Sequence, residues 1–160
     1  MRKKRLEDHV KFPATYRLRI IAILTIALLF TLPVHAQETL WKELNSKVIK
    51  SYQGDQYPEA ISTGNEALKV AEKTFGPEHP DVALTLNNLA QLYSDQERYD
   101  DAESLYKRVL TILEKALGPD HQNVAYVLEE QASLCLKTGR KDEAEKLSER
   151  AEQIRSKGIK

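Results

Sequence analysis

The chain has 160 residues, about the length of one domain, with 24 basic residues, 24 acidic residues and one cysteine. Its balanced charge gives no sign of the clustered positive surface that nucleic-acid binding requires, and a single cysteine excludes an intrachain disulfide. The charge is unevenly distributed, because residues 1–36 hold seven basic and two acidic residues, which leaves 17 basic and 22 acidic residues in 37–160. We therefore expect an acidic domain that packing alone holds together.

The amino-terminal segment has the pattern of a secretory signal peptide. A basic stretch, 1–19, precedes an apolar run of 13 residues, 20–32, and Val34 and Ala36 suit the −3 and −1 positions of a cleavage site. This order of regions is typical of a signal peptide, and the run is shorter than the ~20 residues that span a membrane. The pattern predicts cleavage after Ala36 and export to the periplasm or the exterior. Because the basic stretch is long, an uncleaved single-pass membrane anchor is the alternative.

Six amphipathic segments follow in chain order. In the first, 37–52, apolar residues recur at three- and four-residue steps, which places them on one helix face. Further helices are predicted over 58–74, 81–94, 99–117, 122–137 and 141–155. The sixth is the most charged, as expected of a helix that caps a stack. No segment alternates at period two, so no strand is predicted.

The sequence repeats itself at an offset of 42 residues. With that shift, residues 75–79 align with 117–121, Tyr57 with Tyr99, and Ala90 with Ala132. Self-similarity at a fixed period of 20–50 residues indicates stacked repeats, because one repeat cannot bury its apolar face alone. We predict an all-α fold, a right-handed solenoid of three stacked antiparallel helix pairs, at about 38–75, 80–117 and 122–155.

The central pair resembles the tetratricopeptide repeat. Ala90 and Ala102 are small where that pattern brings two helices close together. The usual tetratricopeptide repeat has 34 residues, whereas the turn 76–83 and the segment 86–90 are similar to the 42-residue repeats of the kinesin light chain type. The resemblance covers about 38–155, essentially all of the chain after the predicted signal peptide.

The outer pairs depart from this pattern at a few positions. Gly64 stands where an aromatic residue is usual, and Gln131 replaces a leucine. Lys141 replaces a tyrosine, and Cys135 takes the place that Tyr93 has in the central pair. These differences affect the expected packing of pairs one and three, not their existence.

The resemblance implies a protein-binding scaffold whose first helices line a concave groove for an extended peptide or a partner helix. Carried over by position, the groove residues are Lys42, Asn45 and Ser46 in pair one, Leu84, Asn87, Asn88 and Gln91 in pair two, and Tyr126, Glu129, Glu130 and Ser133 in pair three. Asparagine suits such a groove because it offers a donor and an acceptor. The two glutamates favour a basic or neutral ligand. The alternative is an accessory subunit that docks in an envelope complex or self-associates.

Catalysis, cofactors and metals are not predicted. The sequence has no glycine-rich phosphate loop and no nucleophile elbow. His79 and His121 recur at the repeat period and are predicted to structure turns, since repeat geometry holds them too far apart to share a zinc ion. Cys135 is predicted to be a small buried apolar residue, with a redox role or an intermolecular disulfide as the alternative. Trp41 is predicted to cap the core, with a partner contact as its alternative. We expect a protein or peptide partner and no nucleic acid.

Overall fold

The computed structural model describes the backbone of residues 14–157 and the side chains of residues 34–157. This part of the chain contains six helices and no strand; the helices are α1 (Ala14–Gln53), α2 (Tyr57–Phe75), α3 (Pro80–Asp95), α4 (Tyr99–Leu117), α5 (Gln122–Lys137) and α6 (Lys141–Lys157). The observed ends agree closely with the predicted ones, except that α1 begins before residue 37. The prediction began this helix at Gln37, directly after the expected cleavage site, but the preceding alanines and leucines are also strong helix formers.

The chain divides into two units, residues 1–36 and residues 37–160, and the description below concerns the second unit. Residues 1–13 of the predicted signal peptide lie outside the described residues. The structure does not test cleavage after Ala36, which stays a prediction. No helix in the described part of the chain combines the length and the apolar character that a membrane crossing needs.

The helices of residues 37–160 form the predicted all-α stack of antiparallel pairs. Each helix from α2 onward packs against the next one along the chain. The interior holds large side chains that are almost completely buried, among them Leu86, Leu89, Tyr106, Leu128 and Leu134. Because these side chains come from both helices of a pair and from the neighbouring pair, the core continues from one pair to the next.

Small residues lie where the helices cross. Ala60, Ala90 and Ala102 are fully buried. Gly64 explains the first departure from the repeat pattern, since a Cβ atom at this position would lie 2.7 Å from Cδ2 of Leu89. The position that holds the buried Tyr106 ring in pair two is thus occupied in pair one by a neighbouring leucine.

The two long turns are built alike. Gly76 and Gly118 end α2 and α4 with φ angles of +90° and +92°, which favour glycine. The following histidines cap the next helices: Nδ1 of His79 accepts a hydrogen bond from the Asp81 backbone N–H at 3.2 Å, and His121 accepts one from the Asn123 N–H at 3.1 Å. The predicted role of both histidines in the turns is confirmed.

Ion pairs between consecutive pairs also repeat at the 42-residue offset. Arg108 of α4 bonds Glu72 of α2 at 2.6 Å, and Arg150 of α6 bonds Glu114 of α4 at 2.6 Å. Lysines two turns further on make the second contact of each junction, namely Lys115 to Glu78 and Lys157 to Asp120. We call these four contacts the junction ion pairs.

Trp41 and Cys135 are both interior residues, as predicted. Trp41 is 6% exposed, packs edge-on against Phe75 with ring centroids 5.2 Å apart, and donates from Nε1 to Oγ1 of Thr85 at 2.9 Å. It is therefore a core residue and is not available to a partner. Cys135 is 3% exposed, and burial raises the pKa of its thiol.

Candidate functional site

Side chains of α1, α3 and α5 meet along one surface, which we call the groove. Tyr52 of α1 donates a hydrogen bond to Asp95 of α3 at 2.7 Å. Gln91 of α3 donates to Glu130 of α5 at 3.2 Å and to the Tyr126 hydroxyl at 3.0 Å. Most of the predicted groove residues of pairs two and three line the cavities of this surface.

The groove has an apolar part beside the amino-terminal halves of α3 and α5. A cavity of about 310 Å³ lies between α3, α4 and α5. Leu84 and Tyr126 stand at its edge and are 50% and 43% exposed, while Val109 and Leu113 of α4 form part of its wall. Two large apolar side chains are thus presented to solvent beside a recess, which is the arrangement that receives an apolar anchor of a partner.

Asn87 introduces a polar group into this apolar cavity. Its side chain is 8% exposed and lines the cavity, and its Oδ1 atom is buried with no hydrogen-bond partner among the described residues. Asn45, one repeat earlier, has the same unpaired Oδ1, although its Nδ2 donates to the Trp41 carbonyl at 2.9 Å. A buried acceptor without a donor costs free energy, which a ligand N–H would recover.

The other part of the groove is polar. A cavity of about 190 Å³ lies between the carboxyl ends of α1 and α3 and the middle of α5. Lys137 donates hydrogen bonds to Oγ of Ser94 at 3.1 Å and to Asp95 at 3.3 Å. The Tyr106 hydroxyl lies 3.4 Å from the Glu130 carboxylate that also accepts from Gln91. Two sets of hydrogen bonds, one around Asp95 and one around Glu130, thus lie together in this polar network beside the apolar cavity.

This network changes the acidity of its tyrosines. The hydrogen bond to Asp95 raises the pKa of Tyr52 to about 12, with burial contributing further. Burial raises the pKa of Tyr106 as well, and the charge of Glu130 adds to the effect. Both phenols therefore keep their protons, and remain hydrogen-bond donors, to a higher pH than an ordinary tyrosine.

Some predicted residues are already engaged within the protein. Glu129 receives two hydrogen bonds of 2.6 Å from the guanidinium of Arg155 in α6. Lys42 pairs with Glu38 on the exposed face of α1 at 2.6 Å. Glu130 lies in the polar cavity instead, where it accepts a hydrogen bond from Gln91 and lies 3.4 Å from the Tyr106 hydroxyl. The prediction could not foresee the pairing of Glu129, because Arg155 lies outside the aligned groove positions.

The remaining predicted residues lie along the same surface. Asn88 and Gln91 line a small recess of about 50 Å³ together with Ile49 and Tyr52 of α1. Ser133 lines the polar cavity, and Ser46 is exposed on α1.

The sequence reasoning missed the residues at the helix ends, chiefly Tyr52, Asp95 and Lys137. A signal for them was present, because Asp95 and Lys137 are 42 residues apart and equivalent positions of consecutive repeats lie side by side. Opposite charges at equivalent positions therefore predict an ion pair across the groove.

The sequence also matches a known family. The family model described as tetratricopeptide repeat matches residues 39–115 and 87–157, which together cover more than half of the chain. Among curated proteins, no significant sequence match was found.

Solved structures show the same fold. BtubC (BKLC) from P. vanneervenii superposes with a TM-score of 0.72 at 23% identity, over 76% of this chain and 48% of that one. Two structures of TPR-like repeats from Podosopora anserina, named after kinesin light chain, superpose with a TM-score of 0.66 at 24% identity, over 74% of this chain and 56% of theirs. The chain thus spans about half the length of these proteins. With its 42-residue helix pairs, stacked core and matching sequence, the chain belongs to the tetratricopeptide repeat family.

Proposed function

We propose that this protein is a non-enzymatic scaffold that binds an extended peptide of a partner protein in the groove. The observation that carries the proposal is the buried, unpaired Oδ1 of Asn87 beside the exposed Leu84 and Tyr126. A peptide laid along this surface offers backbone N–H groups for the acceptor and side chains for the apolar cavity.

The chemistry of the groove favours a basic or neutral peptide. Glu130 and Asp95 supply negative charge in and beside the polar cavity, and residues 37–160 hold more acidic than basic residues. Complementary charge steers encounter and orients the partner more than it adds affinity. We therefore expect the partner segment to place an apolar residue near Tyr126 and a lysine or arginine near Glu130.

We further propose that the scaffold works outside the inner membrane. The support is the basic, apolar and small-residue order of residues 1–36. Sequencing of the amino terminus and fractionation of the native protein test this. A start at Gln37 in a soluble envelope or culture fraction is the expected result, an intact start in the membrane fraction would mean a tethered scaffold, and a cytoplasmic location would reject export.

The groove is tested by site-specific photo-crosslinking in the native host. A photoreactive phenylalanine at Leu84 is expected to give a discrete crosslinked partner, whereas the same group at Glu145, on the exposed face of α6, should not. Equal crosslinking from both positions would contradict the proposal.

The substitution Asn87→Leu is expected to have opposite effects on partner binding and on the stability of the fold. Removal of a buried unpaired acceptor should raise the free energy of unfolding by about 1 kcal/mol, while crosslinking from Leu84 weakens several-fold. Urea denaturation and quantitative crosslinking measure the two effects. If the variant is destabilised, or if it retains full crosslinking, Asn87 is not part of the binding site.

A further inference from the structure

A separate cavity of about 260 Å³ lies between α4, α5 and α6. Leu110, Leu134 and Leu147 form its apolar part, and Cys135 and Gln131 of α5 also line it. None of these residues belongs to the groove, so this α4–α6 cavity needs its own explanation.

In the preceding repeat, side chains fill the equivalent position. At the 42-residue offset, the three leucines correspond to Leu68, Leu92 and Leu105, which pack in one cluster with Leu89 and Tyr93. Pair three has Gln131 in place of Leu89 and Cys135 in place of Tyr93. The cavity therefore lies at the place that corresponds to the Tyr93 ring one repeat earlier.

Gln131 adds a polar group to this cavity. Its side chain is 7% exposed and lines the cavity. An amide offers both a hydrogen-bond donor and an acceptor, so Gln131 can bond a polar group that enters the cavity.

An arginine lies at the rim of the cavity, and the equivalent arginine of pair two covers a tyrosine ring. There, the Arg98 guanidinium lies 4.2 Å from the centroid of Tyr93. Its equivalent, Arg140, has no aromatic ring beneath it among the described residues and instead bonds Glu103 at 2.7 Å and Glu143 at 3.2 Å. A guanidinium over an aromatic face is a favourable contact, so Arg140 can cover a ring that enters from outside.

We infer that the α4–α6 cavity binds a single tyrosine side chain of a partner protein. Pair two shows that a phenol ring fits among these leucines beneath an arginine, and Gln131 supplies hydrogen bonds for a phenolic hydroxyl. The inference rests on the proposed protein-binding function but not on the groove.

The test is an NMR titration of the full chain with two phenolic probes, p-cresol and N-acetyl-L-tyrosine methylamide, and with N-acetyl-L-alanine methylamide as the control. Both phenolic probes should give saturable shifts of the Gln131 side-chain amide and of the Leu134 and Leu147 methyl groups, and the alanine probe none. Binding of p-cresol alone would overturn the inference in favour of a small-molecule site. Shifts confined to the groove, or no saturable shift, would overturn it outright.

Amino-acid substitutions test whether the phenolic probes bind in the α4–α6 cavity. Cys135→Tyr should fill the cavity, raise Tm and abolish the response to both phenolic probes. Leu136→Tyr, at the neighbouring position that is 60% exposed, should leave the response unchanged. If Cys135→Tyr does not fold, Gln131→Leu serves instead and should raise Tm while weakening phenol binding several-fold. An unchanged response in whichever filled variant folds would overturn the inference.

Discussion

At the scale of single residues, the 42-residue repeat provides an internal comparison. Tyr106 and Gly64 occupy equivalent positions, and the structure shows a buried ring at one and the Leu89 side chain in the space above the other. The sequence revealed the substitution but not its cause, because the residue that fills the space comes from another helix, 25 positions later. A departure from a repeat pattern can therefore be recognised before its packing can be explained.

Gly64→Ala tests that close contact. The new Cβ would lie 2.7 Å from Leu89 Cδ2, so we expect a loss of about 1–3 kcal/mol in the free energy of unfolding through overpacking. Urea denaturation measures the loss. Gly54→Ala is the matched control, since its nearest neighbour would be an ordinary 3.5 Å away. Equal stability of the two variants would show that Leu89 can move aside.

The Tyr52 phenol gives a prediction at high pH. Its pKa is raised from 10.0 to about 12 by the hydrogen bond to Asp95, so the folded state favours the protonated form. The resulting stabilisation is fully present below pH 10 and is lost as the pH rises through about 12. Ultraviolet titration should show late-ionising tyrosines, Tyr106 among them, and one of them should disappear in Tyr52→Phe and ionise earlier in Asp95→Asn. An unchanged titration in both variants would contradict the assignment.

At the scale of elements, charged side chains add to the apolar packing that holds α6 to the stack. Its own surface is highly charged, and Arg155 fastens it to Glu129 of α5 with two bonds of 2.6 Å. The prediction of a polar capping helix followed from composition. The ion pair between Arg155 and Glu129 was not predictable. The register between α5 and α6 is set by the turn at Gly139 and by packing around Ala144 and Ala151.

Arg155→Gln should loosen α6 in a pH-dependent way. The hydrogen bond from Arg155 lowers the pKa of Glu129 from 4.5, so its stabilisation is present above that value and is lost as the pH falls through the folded-state pKa. Amide exchange in α6 should be faster in the variant than in the wild type well above pH 4.5, and the two should converge well below it. Lys146→Gln, on the same helix, is the control. A difference that persists at low pH would reject the mechanism.

At the scale of the whole molecule, the 42-residue repeat of the sequence predicted the stacked helix pairs and the order of the helices. The predicted pairs at 80–117 and 122–155 agree with α3–α4 and α5–α6, because a strong apolar period and glycine-proline turns leave few alternatives. The cavities were less predictable. They arise where side chains from three helices leave a space, and no alignment of equivalent positions shows such a space directly.

Removal of α6 tests how far stability depends on neighbouring pairs. In a stacked array each repeat gains stability from the next, and deletion of residues 141–160 would uncover Ala132, Leu134 and Cys135. We expect Tm to fall by more than about 5 °C, given that each 1 kcal/mol shifts it by roughly 2–8 °C, and the urea m-value to decrease with the smaller buried surface. Calorimetry and urea denaturation check this, and an unchanged Tm would mean that α6 contributes little to the stack.

The junction ion pairs have an evolutionary consequence. The central pair carries the cations Arg108 and Lys115 toward the pair before it, and the acids Glu114 and Asp120 toward the pair after it. A tandem duplication of residues 80–121 would therefore create a new junction in which every charge meets its opposite. Loss of the same segment would bring Glu72 to Arg150 and again leave no mismatch. The gene can thus lengthen or shorten its array by whole repeats without first redesigning the surfaces that join them.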